Sequence, residues 1–175
     1  MPLIWRDRPF GDCSAFPTRA GFADILAVFN KAAPQPAWTS AVFEKQGFMW
    51  FSLKDPTVLP TTVIWISNRG RHGAPWNGRN CCLGLEDVCA YFAEGLGPSV
   101  RRNPLNRAGV RTAVSLSRSR PTAINYIEGV VRVPRGFLRV RTAKFAAGEV
   151  SFFSETGKQV TAGVNHEFLN TGEVD

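Results

Sequence analysis

The segment Trp65–Phe92 reads WISNRGRHGAPWNGRNCCLGLEDVCAYF and contains the features that decide the fold. It begins inside an apolar run, crosses a loop rich in arginine, glycine and asparagine, and returns to a second apolar run. Short apolar runs bounded by such loops are typical of β-strands. The second run ends on Glu86, whose charge burial would penalise. This carboxylate is therefore the first side chain that calls for a functional explanation.

The β pattern continues along most of the chain. Apolar and β-branched residues dominate Thr61–Ser67, so this strand is expected to be buried on both faces. Turns follow one another about every ten residues, which favours an antiparallel sandwich or barrel. The sequence therefore predicts an all-β, antiparallel β-sandwich that forms a single domain over residues 1–175. The predicted strands are Trp38–Phe43, Gly47–Leu53, Thr61–Ser67, Cys81–Glu86, Gly109–Leu116, Ala123–Val133, Phe137–Phe145, Glu149–Phe153 and Gln159–Val164.

Two segments depart from a plain strand pattern. Gly21–Asn30 is dense in apolar residues and fits either a helix or a strand. In Asp87–Glu94 the apolar residues recur at helical spacing, Asp87 is a suitable N-cap, and Gly95 is a suitable stop. We therefore expect one short helix directly after Glu86.

Composition indicates a folded protein of the cytoplasm. Apolar residues make up 44% of the chain and charged residues 20%, which is ordinary for a soluble globular domain. The apolar runs are far shorter than the roughly 20 residues that a bilayer requires. The N-terminal MPLIWRDRPFGD is broken by charge and proline, so no signal peptide and no membrane association are expected. The cysteines are expected to be buried free thiols without a metal: Cys13, Cys81, Cys82 and Cys89.

The positive charge is unevenly distributed. The formal net charge is +7, and the basic residues concentrate between Arg101 and Phe145, where Glu128 is the single acid. The chain after Ala146 is mainly acidic. Because the basic residues alternate with apolar ones and no nucleic-acid motif accompanies them, we interpret them as a solvated sheet face. Nucleic-acid binding is the weaker alternative.

The loop Asn68–Asn80 has the composition of a polar-ligand site. Its arginines offer forked hydrogen-bond donors, and Trp76 offers a flat face that can lie against a sugar ring. His72 is the histidine nearest to Glu86 in sequence, whereas His166 near the C-terminus fits a structural role better. The alternative interpretation is a solvated surface loop. The loop residues that we predict to bind a ligand are Arg69, Arg71, Trp76 and Arg79.

Glu86 has two interpretations from the residues alone. A carboxylate that is partly desolvated at the end of an apolar strand gains a raised pKa, which suits proton transfer. A carboxylate at an exposed strand-to-helix junction is instead stabilised by the helix N-terminus. The residues themselves leave both interpretations open.

The run Val63–Glu86, VIWISNRGRHGAPWNGRNCCLGLE, resembles the late part of aldose 1-epimerases, the galactose mutarotase-like proteins. The shared features are an apolar strand with a tryptophan, a loop, and a strand that reads roughly Gly-Leu-Glu. The resemblance implies a partial β-supersandwich in which Glu86 is the general base that interconverts sugar anomers. His72 is the candidate acid, and the loop arginines and Trp76 would hold a sugar or sugar phosphate. This chemistry requires no cofactor.

The chain also departs from that family. Its members are usually much longer, and their paired catalytic histidines lie well before the glutamate, where this chain has only His72. The alternative is therefore a non-catalytic carbohydrate-binding or structural β-sandwich module. A short sandwich leaves sheet edges open, so a homo-oligomer that covers those edges is also expected.

Overall fold

The computed structural model describes residues 14–17 and 19–173, and it is mostly β, as the sequence predicted. Three sheets of three strands have the orders β1-β4-β5, β2-β3-β6 and β7-β8-β9. Within the described residues the strands are β1 (Phe22–Phe29), β2 (Ala37–Phe43), β3 (Phe48–Lys54), β4 (Thr61–Asn68), β5 (Cys81–Val88), β6 (Tyr126–Arg132), β7 (Val140–Ala146), β8 (Glu149–Ser154) and β9 (Gln159–Gly163). The short helices are α1 (Leu96–Val100), α2 (Pro104–Arg107) and α3 (Phe168–Thr171).

The described chain divides into two compact units. The first unit comprises the described residues up to Val28 together with Val63–Glu86. The second unit comprises Phe29–Thr62 and the described residues from Asp87 onward. The prediction of one sandwich domain over residues 1–175 stays a prediction.

The core of the second unit is formed by alternate residues of two antiparallel sheets. In β3 the core residues are Met49, Phe51 and Leu53, which point to one face because side chains alternate along a strand. They pack with Val150 and Phe152 of β8, and the rings of Phe51 and Phe152 lie 5.0 Å apart. Such alternation is typical of a strand that buries one face.

A bulge in β7 determines which of its side chains face the core. The pairing of β7 with β8 shifts register between Val140 and Thr142. Beyond that shift Ala143 and Phe145 are half-buried, whereas Lys144 is exposed. One extra residue in a strand reverses which side chains face the core. The strands predicted at Glu149–Phe153 and Gln159–Val164 form the antiparallel pair β8 and β9.

The first unit contains most of the sheet β1-β4-β5. Val63, Ile66 and Ser67 of β4 are buried, whereas Ile64 and Trp65 are half-buried, so the predicted burial on both faces holds for only part of this strand. Arg69 forms a parallel bridge with Phe22. A Cβ on Gly70 would lie 2.0 Å from the carbonyl carbon of Phe22, so this position accepts glycine alone without a backbone shift.

Three predictions of local structure are corrected by the fold. The helix predicted at Asp87–Glu94 does not form, because β5 continues through Val88 and a turn region follows. Gly95 does not end a helix but is the N-cap of α1, with a φ of 86°. No strand forms at Gly109–Leu116, which is irregular. Gly21–Asn30, which fitted either type of element, contains the strand β1.

The cysteines are less buried than the sequence suggested. Cys81 is exposed, and Cys82 and Cys89 are half-buried free thiols. Burial raises the pKa of the Cys89 thiol. Cys13 lies outside the described residues. Over residues 14–17 and 19–173 no group of three or more metal-ligating side chains comes together. None of the helices in this part of the chain is long and apolar enough to span a membrane.

Candidate functional site

The loop between β4 and β5 is held by its own backbone. Arg69 N–H donates to the Asn80 carbonyl at 2.8 Å, which closes the base of the loop. Gly78 N–H donates to the Arg71 carbonyl at 2.7 Å, and the Asn80 side chain donates to Ser67 Oγ at 3.1 Å. Arg69 and Asn77 have φ values of 63° and 47°, a region that non-glycine residues rarely adopt. The loop therefore has a defined conformation that its own hydrogen bonds maintain.

Arg71 lies between two indole rings. Its guanidinium carbon is 4.8 Å from the centre of the Trp65 ring and 5.8 Å from that of Trp76. The two indoles meet edge to face at 6.4 Å. A guanidinium over aromatic faces gains cation–π attraction, which fixes the side chain at the surface. Trp76 nevertheless remains 40% exposed.

Gly84 brings the Glu86 carboxylate next to this group. Gly84 and Glu86 lie two residues apart on β5, so they face the same side. A side chain at Gly84 would begin 2.9 Å from Glu86 Oε1 and 3.6 Å from Trp65 Cε3. The missing side chain leaves a carboxylate and an indole next to one another. We call the surface formed by Trp65, Arg71, Trp76, Gly84 and Glu86 the Gly84 face.

Only some of the predicted site residues meet on this face. Glu86 is exposed, which does not fit the interpretation of a partly desolvated carboxylate, and the helix that the other interpretation required after Glu86 does not form. In the described part of the chain no hydrogen bond joins Glu86 to His72. The ring of His72 instead lies near its own loop, with Nδ1 3.5 Å from the position of a Cβ on Gly78. The remaining arginines, Arg69 and Arg79, are exposed on the loop.

Trp65 belongs to the Gly84 face although the sequence did not single it out. Its strand was interpreted as entirely buried, which hid the functional value of an aromatic residue near the strand's end. The sequence offered one sign of this role, because Trp65 lies only a few residues before Arg71 and Trp76. A tight loop brings those two side chains back beside Trp65.

A second polar cluster lies in the interior of the second unit. The side chains of Lys54 and Asp87 are 0% and 2% exposed and form an ion pair. Thr62 Oγ1 donates to Asp87 Oδ1 at 2.6 Å, and it accepts from Lys54 Nζ at 2.6 Å. The other carboxylate oxygen, Oδ2, accepts from Ser52 Oγ at 2.9 Å and from the Tyr126 hydroxyl at 2.7 Å. We call these five side chains the Asp87 cluster.

Each oxygen of Asp87 has two donors, which determines its charge state. Burial by itself raises the pKa of the carboxyl, but the hydrogen bonds from Lys54, Thr62 and Tyr126 and the charge of Lys54 lower it below the ordinary 3.8. Burial raises the pKa of Tyr126, and its bond to Asp87 raises it further. Asp87 is therefore an ionised acceptor held by four donors. Such a carboxylate stabilises the folded packing of the Asp87 cluster. Its four hydrogen bonds keep it from acting as a proton donor or acceptor for a ligand.

The sequence did not predict this cluster. Asp87 was interpreted as a helix cap, and the β3 strand was expected to end before Lys54. The available signal was the alternation of β5 itself, which places Glu86 and Asp87 on opposite faces. A lysine at the end of an aromatic-rich strand was a second signal, because a buried lysine requires an acidic partner.

His166 has the structural role that the sequence favoured. Its Nε2 donates to the Ala146 carbonyl at 2.8 Å, and its ring meets Phe145 edge to face at 5.3 Å. These contacts hold the imidazole of His166 against β7.

Two open pockets of the second unit lie elsewhere. One, of about 330 Å³, is lined by Pro34, Pro36, Asp55 and neighbouring residues. The other, of about 320 Å³, is lined by Cys89, Leu96 and neighbouring residues. Glu86 lines neither pocket. On the Gly84 face, Glu86 is exposed and Trp76 is 40% exposed.

No family model, curated protein or solved structure matches this chain. The resemblance of Val63–Glu86 to aldose 1-epimerases therefore stays a prediction that rests on those residues alone.

Proposed function

We propose that the protein is carbohydrate-active, resembles aldose 1-epimerases, and binds an aldose on the Gly84 face. The observation that carries this proposal is that the Glu86 carboxylate and the Trp65 ring both border the space left by the missing side chain of Gly84, with the Arg71 guanidinium carbon 4.8 Å from the centre of that ring. Carboxylates accept hydrogen bonds from sugar hydroxyls, guanidinium groups donate them, and indole faces pack against the C–H side of a pyranose. A carboxylate, a guanidinium and an indole, which can together hold an aldose, thus occur on the Gly84 face.

The proposed reaction interconverts the two anomers of the aldose. The Glu86 carboxylate removes the proton of the anomeric hydroxyl, and the O–H electron pair forms the aldehyde C=O. The bond from the anomeric carbon to the ring oxygen breaks, and the ring oxygen takes a proton from an acid. Rotation about the C–C bond next to the aldehyde carbon exposes its other face. On ring closure the ring oxygen returns its proton to the acid and Glu86 returns its proton to the anomeric oxygen, which gives the other anomer and restores both groups. His72 is the candidate acid of this chain.

Non-catalytic sugar binding is a second candidate function. It is favoured by the exposure of Glu86 and by the absence of a hydrogen bond from Glu86 to His72 in the part of the chain that the structure describes. A general base and acid that act on one substrate are normally held within reach of it together. This candidate requires Trp76 and Arg71 but not proton transfer by Glu86.

Anomer exchange tests the catalytic candidate. A freshly dissolved α-aldose is followed by NMR with and without the protein, and Glu86→Gln is expected to lower the protein-catalysed rate by about a hundredfold or more. Glu94→Gln, which changes an exposed acid in the turn after β5, is the matched control and should retain the rate. Catalysis that survives Glu86→Gln would remove Glu86 from the mechanism.

Binding without exchange is measured separately. Trp76→Ala is expected to weaken the affinity for the aldose about tenfold, because the indole stacking surface is lost. Leu96→Ala removes another exposed apolar side chain and should leave the affinity unchanged. Binding with no exchange by the unaltered protein would support the second candidate. No binding of any aldose by NMR titration would contradict both.

A further inference from the structure

Strand β6 has an open edge. The order β2-β3-β6 gives β6 one strand neighbour, β3, among the residues that the structure describes. An open edge presents a row of unpaired N–H and C=O groups that can pair with another strand. The chemistry of the side chains along such an edge indicates which strand fits there.

The register of β6 shows which residues face outward along the sheet. Arg132 is paired with Phe48, and one residue further on Val133 N–H donates to the Gly47 carbonyl at 2.9 Å. Backbone groups alternate in direction along an antiparallel strand. The odd-numbered residues therefore direct their N–H and C=O groups toward β3, and the even-numbered residues direct theirs away from it.

The even-numbered residues of β6, whose backbone groups face away from β3, include side chains of three different kinds. Glu128, Val130 and Arg132 are all exposed, and Val130 is 66% exposed. They lie on one face because they are spaced two apart. An acid, an apolar residue and a base are thus spaced evenly along the open edge.

We propose that β6 pairs antiparallel with β6 of a second copy of this chain, with Val130 opposite Val130 on a twofold axis. In this register Glu128 of each copy lies opposite Arg132 of the other, so both ends of the pair have opposite charges in contact. Val130 and the two charged residues also present their backbone groups to the partner strand. The edge is therefore complementary to itself, as a twofold interface requires.

Other registers of the same two strands are less favourable. Shifting the antiparallel pair so that Glu128 faces Glu128, or Arg132 faces Arg132, places like charges opposite one another, which destabilises a sheet. A parallel in-register pair does the same at both positions. The charge pattern therefore selects the register centred on Val130.

The apolar row across the sheet continues into this interface. Val130 is the partner of Trp50, and Trp50 is the partner of Ala41 on β2. Two copies joined at Val130 would form a six-stranded sheet with this row unbroken across the twofold axis. Cross-strand apolar pairs of this kind add to the charge pairs in stabilising the contact.

Charge reversal tests the proposed register. By analytical ultracentrifugation the unaltered chain is expected to form a dimer of 19.3 kDa subunits. Glu128→Lys and Arg132→Glu should each weaken dimerisation about tenfold or more, because two attractive pairs become repulsive. An equimolar mixture of the two variants should dimerise again, since each reversed charge then faces an opposite one. Arg141→Glu on β7 is the control for charge alone.

A proline at the centre of the edge is the second test. Val130→Pro removes an N–H that faces away from β3, so the strand keeps its place in the sheet while pairing with the second copy is blocked. The variant should be monomeric with unchanged circular dichroism. A monomeric unaltered chain at millimolar concentration, or a dimer indifferent to Val130→Pro and to charge reversal, would overturn the proposal.

Discussion

Glu86 and Asp87 are neighbours in sequence with opposite environments. Glu86 is exposed, whereas the side chain of Asp87 is 2% exposed and accepts from four donors. The alternation of side chains along β5 produces this difference, because successive residues of a strand point to opposite faces. The two carboxylates therefore have separate roles: Glu86 is available to a ligand, and Asp87 compensates the buried charge of Lys54.

Loss of the Asp87 charge should destabilise the second unit strongly. Asp87→Asn leaves the Lys54 ammonium buried without its counter-charge, and breaking such a pair costs about 3–5 kcal/mol. The free energy of unfolding measured by urea denaturation should fall by that amount. Glu86→Gln changes the adjacent carboxylate, which is exposed, and should stay within about 0.5 kcal/mol of the unaltered protein.

A variant that lacks both charges tests whether the unpaired Lys54 ammonium causes the loss of stability. Lys54→Met combined with Asp87→Leu removes both charges, so the double variant should be more stable than Asp87→Asn alone. A single Asp87→Asn variant as stable as the unaltered chain would show that Lys54 does not depend on this partner.

At the level of elements, β6 packs on β3 through a glycine. A Cβ at Gly129 would lie 2.4 Å from Cζ of Phe51, which is 3% exposed in the core. Gly129→Ala should therefore lower the free energy of unfolding by about 1–3 kcal/mol, because the ring of Phe51 must leave its position. Thermal or urea denaturation measures the change.

Gly163 in β9 is the matched control for Gly129. A Cβ at Gly163 would meet no atom within 4 Å. Gly163→Ala should consequently change the free energy of unfolding by no more than about 0.5 kcal/mol. Equal effects of the two alanines would contradict the packing of Phe51 against β6.

At the level of the whole molecule, acid should unfold the protein through the Asp87 cluster. The pKa of Asp87 in the folded chain lies below the ordinary 3.8, so the ionised carboxylate stabilises the folded state. This contribution is complete above pH 3.8 and is lost as the pH falls through the lower folded value. Acid titration followed by circular dichroism should show a loss of stability below pH 3.8.

The Asp87→Asn variant is the control for the acid titration. It has no carboxyl to protonate at this position, so its stability should depend less steeply on pH in the same range. Identical acid profiles for the variant and the unaltered chain would assign acid unfolding to other carboxylates.

The sequence by itself determined the β-rich character of the protein and most of its strands, because short apolar and β-branched runs and the turn residues between them act locally. It also determined the residue types of the loop between β4 and β5. Helical spacing in Asp87–Glu94 misled the prediction, since Asp87 and Val88 lie within β5 and the rest of the segment forms a turn region. Only the tertiary structure decided that Glu86 is exposed, that Asp87 and Lys54 are buried together, and that Gly84 brings Trp65 to the carboxylate. These outcomes depend on which strands become neighbours, and contacts between residues far apart in sequence leave no local pattern to read.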